Sequence, residues 1–474
     1  MIIGRKKERQ LLLSLLESQQ SEFVAVYGRR RVGKTFLVRE TFKGRFVFQH
    51  TGILDAPLDE QLSEFRESLY EAGLGESPLP KTWNEAFRLL RRLIVSKDTA
   101  EKKIIFIDEL PWLDTVRSNF IRALDHFWNG WATTRNDIIL IVCGSATSWI
   151  IENIVMNYGG LHNRLTRQIH LKPFTLGECE EYCDFLKLGF VRKQVLEGYM
   201  IMGGVPYYWS FMQKGQSLSQ NIDRMFFAED GELVHEFDAL YASLFRNPKI
   251  HIAIIEVLAR KKSGMLRSEI VEKTHCPDND RMSKALKELE QCSFIRRYTF
   301  IGKKKKDALY QLIDNFTLFY YNFVQHNVNG DGCFWTSQLR TSLHDSWAGL
   351  AFERVCLLHL DQIKKSLGFS AVISTAHSWH YMPKEKDEKG VQIDLLIDRS
   401  DDVINLCEIK YAQDLYTISA EEYERIRHRM AVFKTQTDTK KAIHITYITT
   451  YGLSEGGYSG EVQSQVTMDG LFIR

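Results

Sequence analysis

Gly28-Arg29-Arg30-Arg31-Val32-Gly33-Lys34-Thr35 is the stretch that decides the fold of the N-terminal part of this chain. An apolar run, Phe23-Val24-Ala25-Val26-Tyr27, precedes it, and an amphipathic helical pattern beginning at Phe36 follows it. The spacing is that of a phosphate-binding loop set between a strand and a helix. Two glycines let backbone N–H groups curl around a polyphosphate, and the helix N-terminus adds its positive dipole end. Every position from Gly28 to Phe36 is therefore a candidate nucleotide contact. Lys34 supplies a charge for the β- and γ-phosphates, and the Thr35 hydroxyl is suited to a Mg²⁺ ion. The expectation is a nucleoside triphosphate site on a parallel α/β sheet.

At 474 residues the chain is too long for one core, and about 150 residues per domain implies roughly three domains. Its apolar content of 44% and charged content of 26% are those of a soluble globular protein. A net charge of +2 excludes a global positive field, so any nucleic-acid surface must be a local patch. The N-terminus lacks the apolar core of a signal peptide, and no apolar run approaches the roughly 18 residues of a membrane span. The eight cysteines are scattered without a C-x-x-C pair, which predicts free thiols and a cytoplasmic setting.

Further along, Lys103-Ile104-Ile105-Phe106-Ile107-Asp108-Glu109 reads as a buried parallel strand whose two acids reach the nucleotide crevice. Asp108 is placed to hold Mg²⁺ and Glu109 to polarise the attacking water. A third strand, Ile138 to Cys143, ends at Gly144-Ser145. Ser145 fits two roles: a donor to the γ-phosphate or lytic water, and a cap for the helix after it. Asn163-Arg164 then leads through Arg167 to Leu171-Lys172-Pro173-Phe174.

Together with Ile3-Gly4-Arg5-Lys6-Lys7-Glu8 and Gly203-Gly204-Val205-Pro206-Tyr207, these segments resemble the archaeal-type ATPase family of the AAA+ class. The resemblance implies ATP as ligand, with Mg²⁺, over about half the chain. It implies an arginine finger or nucleotide sensor at Arg164, hence a homo-oligomer; the alternative for Arg164 is a solvated surface charge. The family usually has Gly-Arg where this chain has Asn163-Arg164. Pro206 resembles a proline that packs near the adenine from a helical lid, or else it starts a plain turn.

From Ile250 the reading changes. Three amphipathic segments, starting near His251, Leu266 and Asp280, precede two short apolar runs, Phe294 to Thr299 and Ala308 to Ile313. Gly302-Lys303-Lys304-Lys305-Lys306-Asp307 joins those runs. Three helices and a basic-tipped hairpin look like a winged helix, whose third helix and wing would contact DNA. A solvated lysine tip on a protein-docking module fits the same pattern.

Near the C-terminus, Glu353 sits in an apolar helical stretch, Asp394 in the run Val391 to Ile397, and Glu408-Ile409-Lys410 ends a second run. Alternation puts Glu408 and Lys410 on one strand face, and a hairpin brings Asp394 beside them. Buried charges at strand centres are costly unless paired or metal-bound. Asp394 and Glu408 are therefore candidate ligands of a hard cation, with a Glu408–Lys410 ion pair as the alternative. The pattern resembles restriction-endonuclease-like nucleases, which implies catalytic roles for Glu353, Asp394, Glu408 and Lys410 in Mg²⁺-dependent DNA cleavage. Trp379 and Tyr381, either side of His380, fit base stacking or packing beneath the sheet.

The expected architecture is an α/β P-loop core over about 1–175, a helical lid over 176–240, a winged helix over 245–320 and a nuclease-like α/β domain over 340–474. Three functions compete: an ATP-driven DNA-binding nuclease, a nucleotide-dependent switch with an inactive C-terminal scaffold, and a nucleotide-gated DNA-binding regulator.

Overall fold

The structure is a computed structural model that describes the chain except residues 98–100, 157–160, 162, 246, 299–307 and 382–389. The lysine tip at 303–306 and the end of the first wing strand at Thr299 therefore lie outside the described residues. The chain forms two compact units, Met1–Pro173 with Leu244–Arg246, and Phe174–Ser243 with Asn247–Arg474.

In the first unit, β1 (Glu22–Tyr27), β2 (Phe46–Thr51), β3 (Lys103–Asp108), β4 (Ile138–Gly144) and β5 (Arg167–His170) make one sheet in the order β2-β3-β4-β1-β5. Every neighbouring pair is parallel. The three inner strands are buried along their whole length, which is why they read as unbroken apolar runs. Alternate residues serve opposite cores. Phe23, Ala25, Ile105, Ile107, Leu140 and Val142 pack with helices Leu58–Glu71, Trp83–Ser96 and Phe120–Gly130. Val24, Val26, Ile104, Phe106, Ile139 and Ile141 pack with Leu12, Leu15 and the helix Lys34–Thr41. That helix begins two residues before the Phe36 expected from sequence.

The second unit opens with the helices Leu176–Phe185, Arg192–Met202, Pro206–Trp209, Leu218–Phe226 and, except for its last residue, Glu236–Leu244. Thr175 and Glu178 close a reciprocal capping box on the first of them. Three helices follow, Lys249–Ala259, Arg267–Thr274 and Asp280–Gln291, with a small antiparallel sheet. Its strands are β6 (Met265–Leu266), β7 (Ile295–Tyr298) and β8 (Leu309–Leu312), ordered β6-β8-β7.

The last part is a mixed sheet of β9 (Ser374–Tyr381), β10 (Val391–Arg399), β11 (Val403–Lys410), β12 (Ala442–Thr449) and β13 (Ser464–Val466). The order is β13-β12-β11-β10-β9, antiparallel from β9 to β11 and parallel from β11 to β13. Helix Ala420–Thr437 supplies the crossover between β11 and β12, because parallel neighbours cannot be joined by a tight turn. The register of β10 on β9 shifts between Ile393 and Leu396, a bulge with consequences for Asp394.

No described helix is long and apolar enough to cross a membrane. All eight cysteines are unpaired.

Candidate functional site

In an all-parallel sheet every strand delivers its carboxyl end to the same edge. Tyr27, Asp108 and Gly144 therefore finish side by side, and the loops that follow them converge. Gly28 has φ 145° and Gly33 φ 88°, values open to glycine, and Arg31 between them also lies at φ 71°. A Cβ on Gly28 would overlap the Leu171 carbonyl oxygen at the end of β5, so the loop passes there only as glycine. Lys34 is buried and donates from Nζ to the Gly28 and Arg29 carbonyls at 2.9 and 3.0 Å. Its charge is held over the loop, where an incoming phosphate would take the place of weaker carbonyl acceptors.

Beside it, Thr35 Oγ1 donates to Asp108 Oδ2 at 2.7 Å. A hydroxyl and a carboxylate in contact are hard oxygen donors of the kind Mg²⁺ takes beside phosphates. Glu109 follows at φ 45°, a left-handed conformation that costs a non-glycine residue about 1–3 kcal/mol. Its backbone N–H donates to Asp108 Oδ1 at 3.0 Å. Its Oε2 accepts from both the backbone N–H (3.0 Å) and the hydroxyl (2.9 Å) of Ser145. Ser145 thus holds the Glu109 carboxylate, a contact in addition to the two roles considered above. Beneath these groups Cys143 is fully buried, and burial, reinforced by Asp108, pushes its thiol well above the ordinary range. It stays a neutral core residue.

Of the remaining candidate contacts, Arg29 and Val32 are buried, Arg30 and Arg31 half-buried, and Phe36 exposed. Two further residues shape the loop. Buried Arg5 donates from Nη2 to the Val32 carbonyl at 3.3 Å, tying the opening Gly4-Arg5 pair to the phosphate loop. Gly52 donates its N–H to the Asp108 carbonyl at 3.0 Å, and a Cβ on it would stand 2.7 Å from the Glu109 carbonyl oxygen. Nothing in the local sequence marked Gly52; its partner lies on another strand.

Arg164 lies elsewhere on the sheet. It precedes β5, and the next residues join the start of β1: Thr166 N–H donates to the Phe23 carbonyl at 2.9 Å. The phosphate loop leaves the other end of β1, at Tyr27. Four residues of strand put about 13 Å between those ends. Arg164 is exposed and makes no side-chain hydrogen bond or ion pair among the described residues. It stands at the amino edge, away from the nucleotide edge of its own sheet. Pro206 belongs to the second unit, where it starts the helix Pro206–Trp209. The glycines before it have a structural cause there. Gly204 accepts from Phe174 N–H at 2.6 Å with no room for a Cβ, and Gly203, at φ 63°, accepts from Trp209 Nε1 at 2.8 Å.

The C-terminal constellation is divided. On β10, Val391, Ile393 and Leu396 pack with Ile404 and Leu406 of β11 and with Phe433 of helix Ala420–Thr437. The change from odd to even positions is the bulge, and it turns Asp394 to the opposite face. There Asp394 and Glu353 line a cavity of about 670 Å³ together with Arg296 and Tyr298. Burial raises the Glu353 carboxyl, against the pull of Arg354 at 2.8 Å. Burial also lowers the Arg296 guanidinium to about 10.

Glu408 and Lys410 continue the face of Leu406. Glu408 pairs with Lys410 at 2.9 Å and Arg429 at 2.7 Å, and Lys410 also with Glu422 at 3.1 Å. Burial lowers the Lys410 ammonium, but its two carboxylates outweigh that and raise it. The expected convergence of Asp394 on Glu408 and Lys410 is therefore corrected: one bulge residue sends them to opposite faces. No group of three or more His, Cys, Asp or Glu among the described residues is arranged to hold a metal ion. Trp379 packs edge-on against Phe433 and is buried, which takes it away from base stacking.

Residues 3–209 match the sequence model of a family described as an ATPase domain predominantly from Archaea. An uncharacterized protein of Methanocaldococcus jannaschii is 27% identical over 415 residues, 84% of each chain. Among solved structures, a Walker-type ATPase of Pyrococcus abyssi aligns over 67% of this chain and 95% of its own, at 18% identity and a TM-score of 0.49. The Aeropyrum pernix ORC2 protein aligns over 72% and 96%, at 14% identity and a TM-score of 0.40. Over residues 3–209 the chain is therefore similar to an ATPase domain found predominantly in Archaea.

Proposed function

We propose that the chain binds and hydrolyses ATP at the loop Gly28–Thr35 and works as a nucleotide-dependent switch, its C-terminal domain serving as a docking platform. The observation that carries this is the joining of Thr35 to Asp108 and of Glu109 to Ser145 beside Lys34, at one edge of the sheet. In the reaction the loop N–H groups and Lys34 hold the β- and γ-phosphates. Glu109 orients a water and accepts its proton as the water oxygen bonds to the γ-phosphorus. The bond from that phosphorus to the bridging oxygen breaks, and its electron pair leaves with ADP. Mg²⁺, held through Thr35 and Asp108, would neutralise charge on the phosphates. Arg164, excluded from its own site by the sheet, would act on a neighbouring copy.

DNA as partner is supported by the third helix of the winged element, where Arg281, Ser283 and Lys284 are all exposed on Asp280–Gln291. Such a helix is the one that enters a major groove. The nuclease reading loses its main support with the splitting of Asp394 from Glu408 and Lys410. Incubation of duplex, single-stranded and branched DNA with Mg²⁺ or Mn²⁺, with and without ATP, tests this. No cleavage is expected from wild type or from Asp394→Ala/Lys410→Ala. Cleavage by wild type that the double variant loses would restore the nuclease and displace the switch.

A further inference from the structure

The ATPase core carries a second polar cleft, on the opposite face of the sheet from helix Lys34–Thr41. It lies between helices Trp83–Ser96 and Phe120–Gly130, which pack on the other core. Its volume is about 520 Å³, within the range of about 300–1,000 Å³ usual for small-ligand sites. Arg88, Arg91, Arg122 and His126 line it, with Thr82 and Asn84 at one end and no carboxylate among the lining residues.

The helices explain the convergence. Arg88 and Arg91 are three apart on one helix, and Arg122 and His126 four apart on the other, so each pair shares a helical face. The nearest acid on Arg88 is Glu85, at 4.0 Å. Glu85 is already engaged, because its Oε2 accepts from Lys81 N–H at 2.8 Å beside the Thr82 cap. Arg91 is fixed. Its Nη2 donates to the His126 carbonyl at 3.2 Å, and its guanidinium lies over Phe127 and Trp131 at 5.8 and 5.6 Å from the ring centres. Its Nε is buried without a hydrogen-bond partner. Burial, and then the neighbouring Arg88 charge, lower the Arg91 guanidinium.

Three guanidinium groups lining one cleft, with Glu85 at 4.0 Å from Arg88 as the nearby carboxylate, repel one another, and a bound anion would relieve that repulsion. Their planar forks match the oxygens of a phosphate in pairs. We propose that this cleft binds a phosphate-bearing polyanion, independently of the nucleotide at the phosphate loop. A nucleic-acid backbone and a free polyphosphate offer the same chemistry.

Full-length protein titrated into a fluorescently labelled duplex and a labelled single strand, and inorganic tripolyphosphate followed by calorimetry, separate these sources. Each is compared among wild type, Arg88→Ala/Arg122→Ala and Arg88→Lys/Arg122→Lys. The alanine variant should lose at least about tenfold in affinity for one source, and the lysine variant should regain part of it. For an oligonucleotide the slope of log affinity against log salt should become shallower by about two. Loss confined to oligonucleotides assigns the nucleic-acid backbone, and loss confined to tripolyphosphate assigns the free anion. ATP turnover should stay at the wild-type value in both variants, since neither arginine belongs to the nucleotide edge. Unchanged affinity for every probe, or no binding by wild type at low salt, overturns the proposal.

Discussion

Glu109→Gln should hold ATP and fail to turn it over, with kcat lowered by about 10²–10⁴-fold, the usual contribution of a positioned general base. The substitution is close to isosteric. A glutamine carbonyl can still accept from the Ser145 hydroxyl and N–H, so the left-handed turn at residue 109 keeps its anchor. What is lost is the ability to take a proton from water. Phosphate release measured beside retention of labelled ATP separates binding from chemistry. Turnover at the wild-type rate would remove Glu109 from its role and leave its carboxylate as a tether for β4.

Arg164→Ala should lower the rate by about 10³–10⁵-fold, the range for an arginine acting in trans. The argument is topological. β5 runs parallel to β1, so the segment before β5 sits at the amino edge while the phosphate loop sits at the carboxyl edge. No rotamer of one arginine spans that strand. If Arg164 serves catalysis it serves another copy, and wild-type turnover per subunit should rise with protein concentration. Mixing Arg164→Ala with Lys34→Ala, each inactive alone, should recover activity, because mixed neighbours assemble intact sites. An unchanged rate in Arg164→Ala would make it a solvated surface charge.

The proposed nucleotide site was legible because its parts are local. Strand, loop and helix are contiguous from Phe23 onward, and the acids at Asp108 and Glu109 end a run too apolar to be anything but an inner strand. Parallel strands then bring the separate runs to one edge without further information. The contacts of Gly52 and Arg5 were not legible in that way, since each depends on which strand or loop lies next to it. Nor was the contact of Ser145 with Glu109, whose two ends follow different strands.

The C-terminal sheet shows the limit more sharply. Alternation correctly puts Glu408 and Lys410 on one face, but a single extra residue between Ile393 and Leu396 turns Asp394 away from them. A period of two makes every facing assignment depend on the absence of a bulge. Nothing in Val391-Gln392-Ile393-Asp394-Leu395-Leu396 announces one. The glycine pair at Gly203 and Gly204 carries a related lesson, since close approach to Phe174 accounts for Gly204 and a positive φ of 63° for Gly203.

The most direct measurement is calorimetric titration of Mg-ATP into the full-length chain beside Lys34→Ala. A saturable component that depends on Lys34 should appear in the wild type. Removing a buried, hydrogen-bonded charge from a phosphate contact costs about 2–5 kcal/mol, so the variant should bind at least about thirtyfold more weakly. Equal affinity in the two proteins would contradict the account, because the loop from Gly28 to Thr35 would then not be where the nucleotide is held.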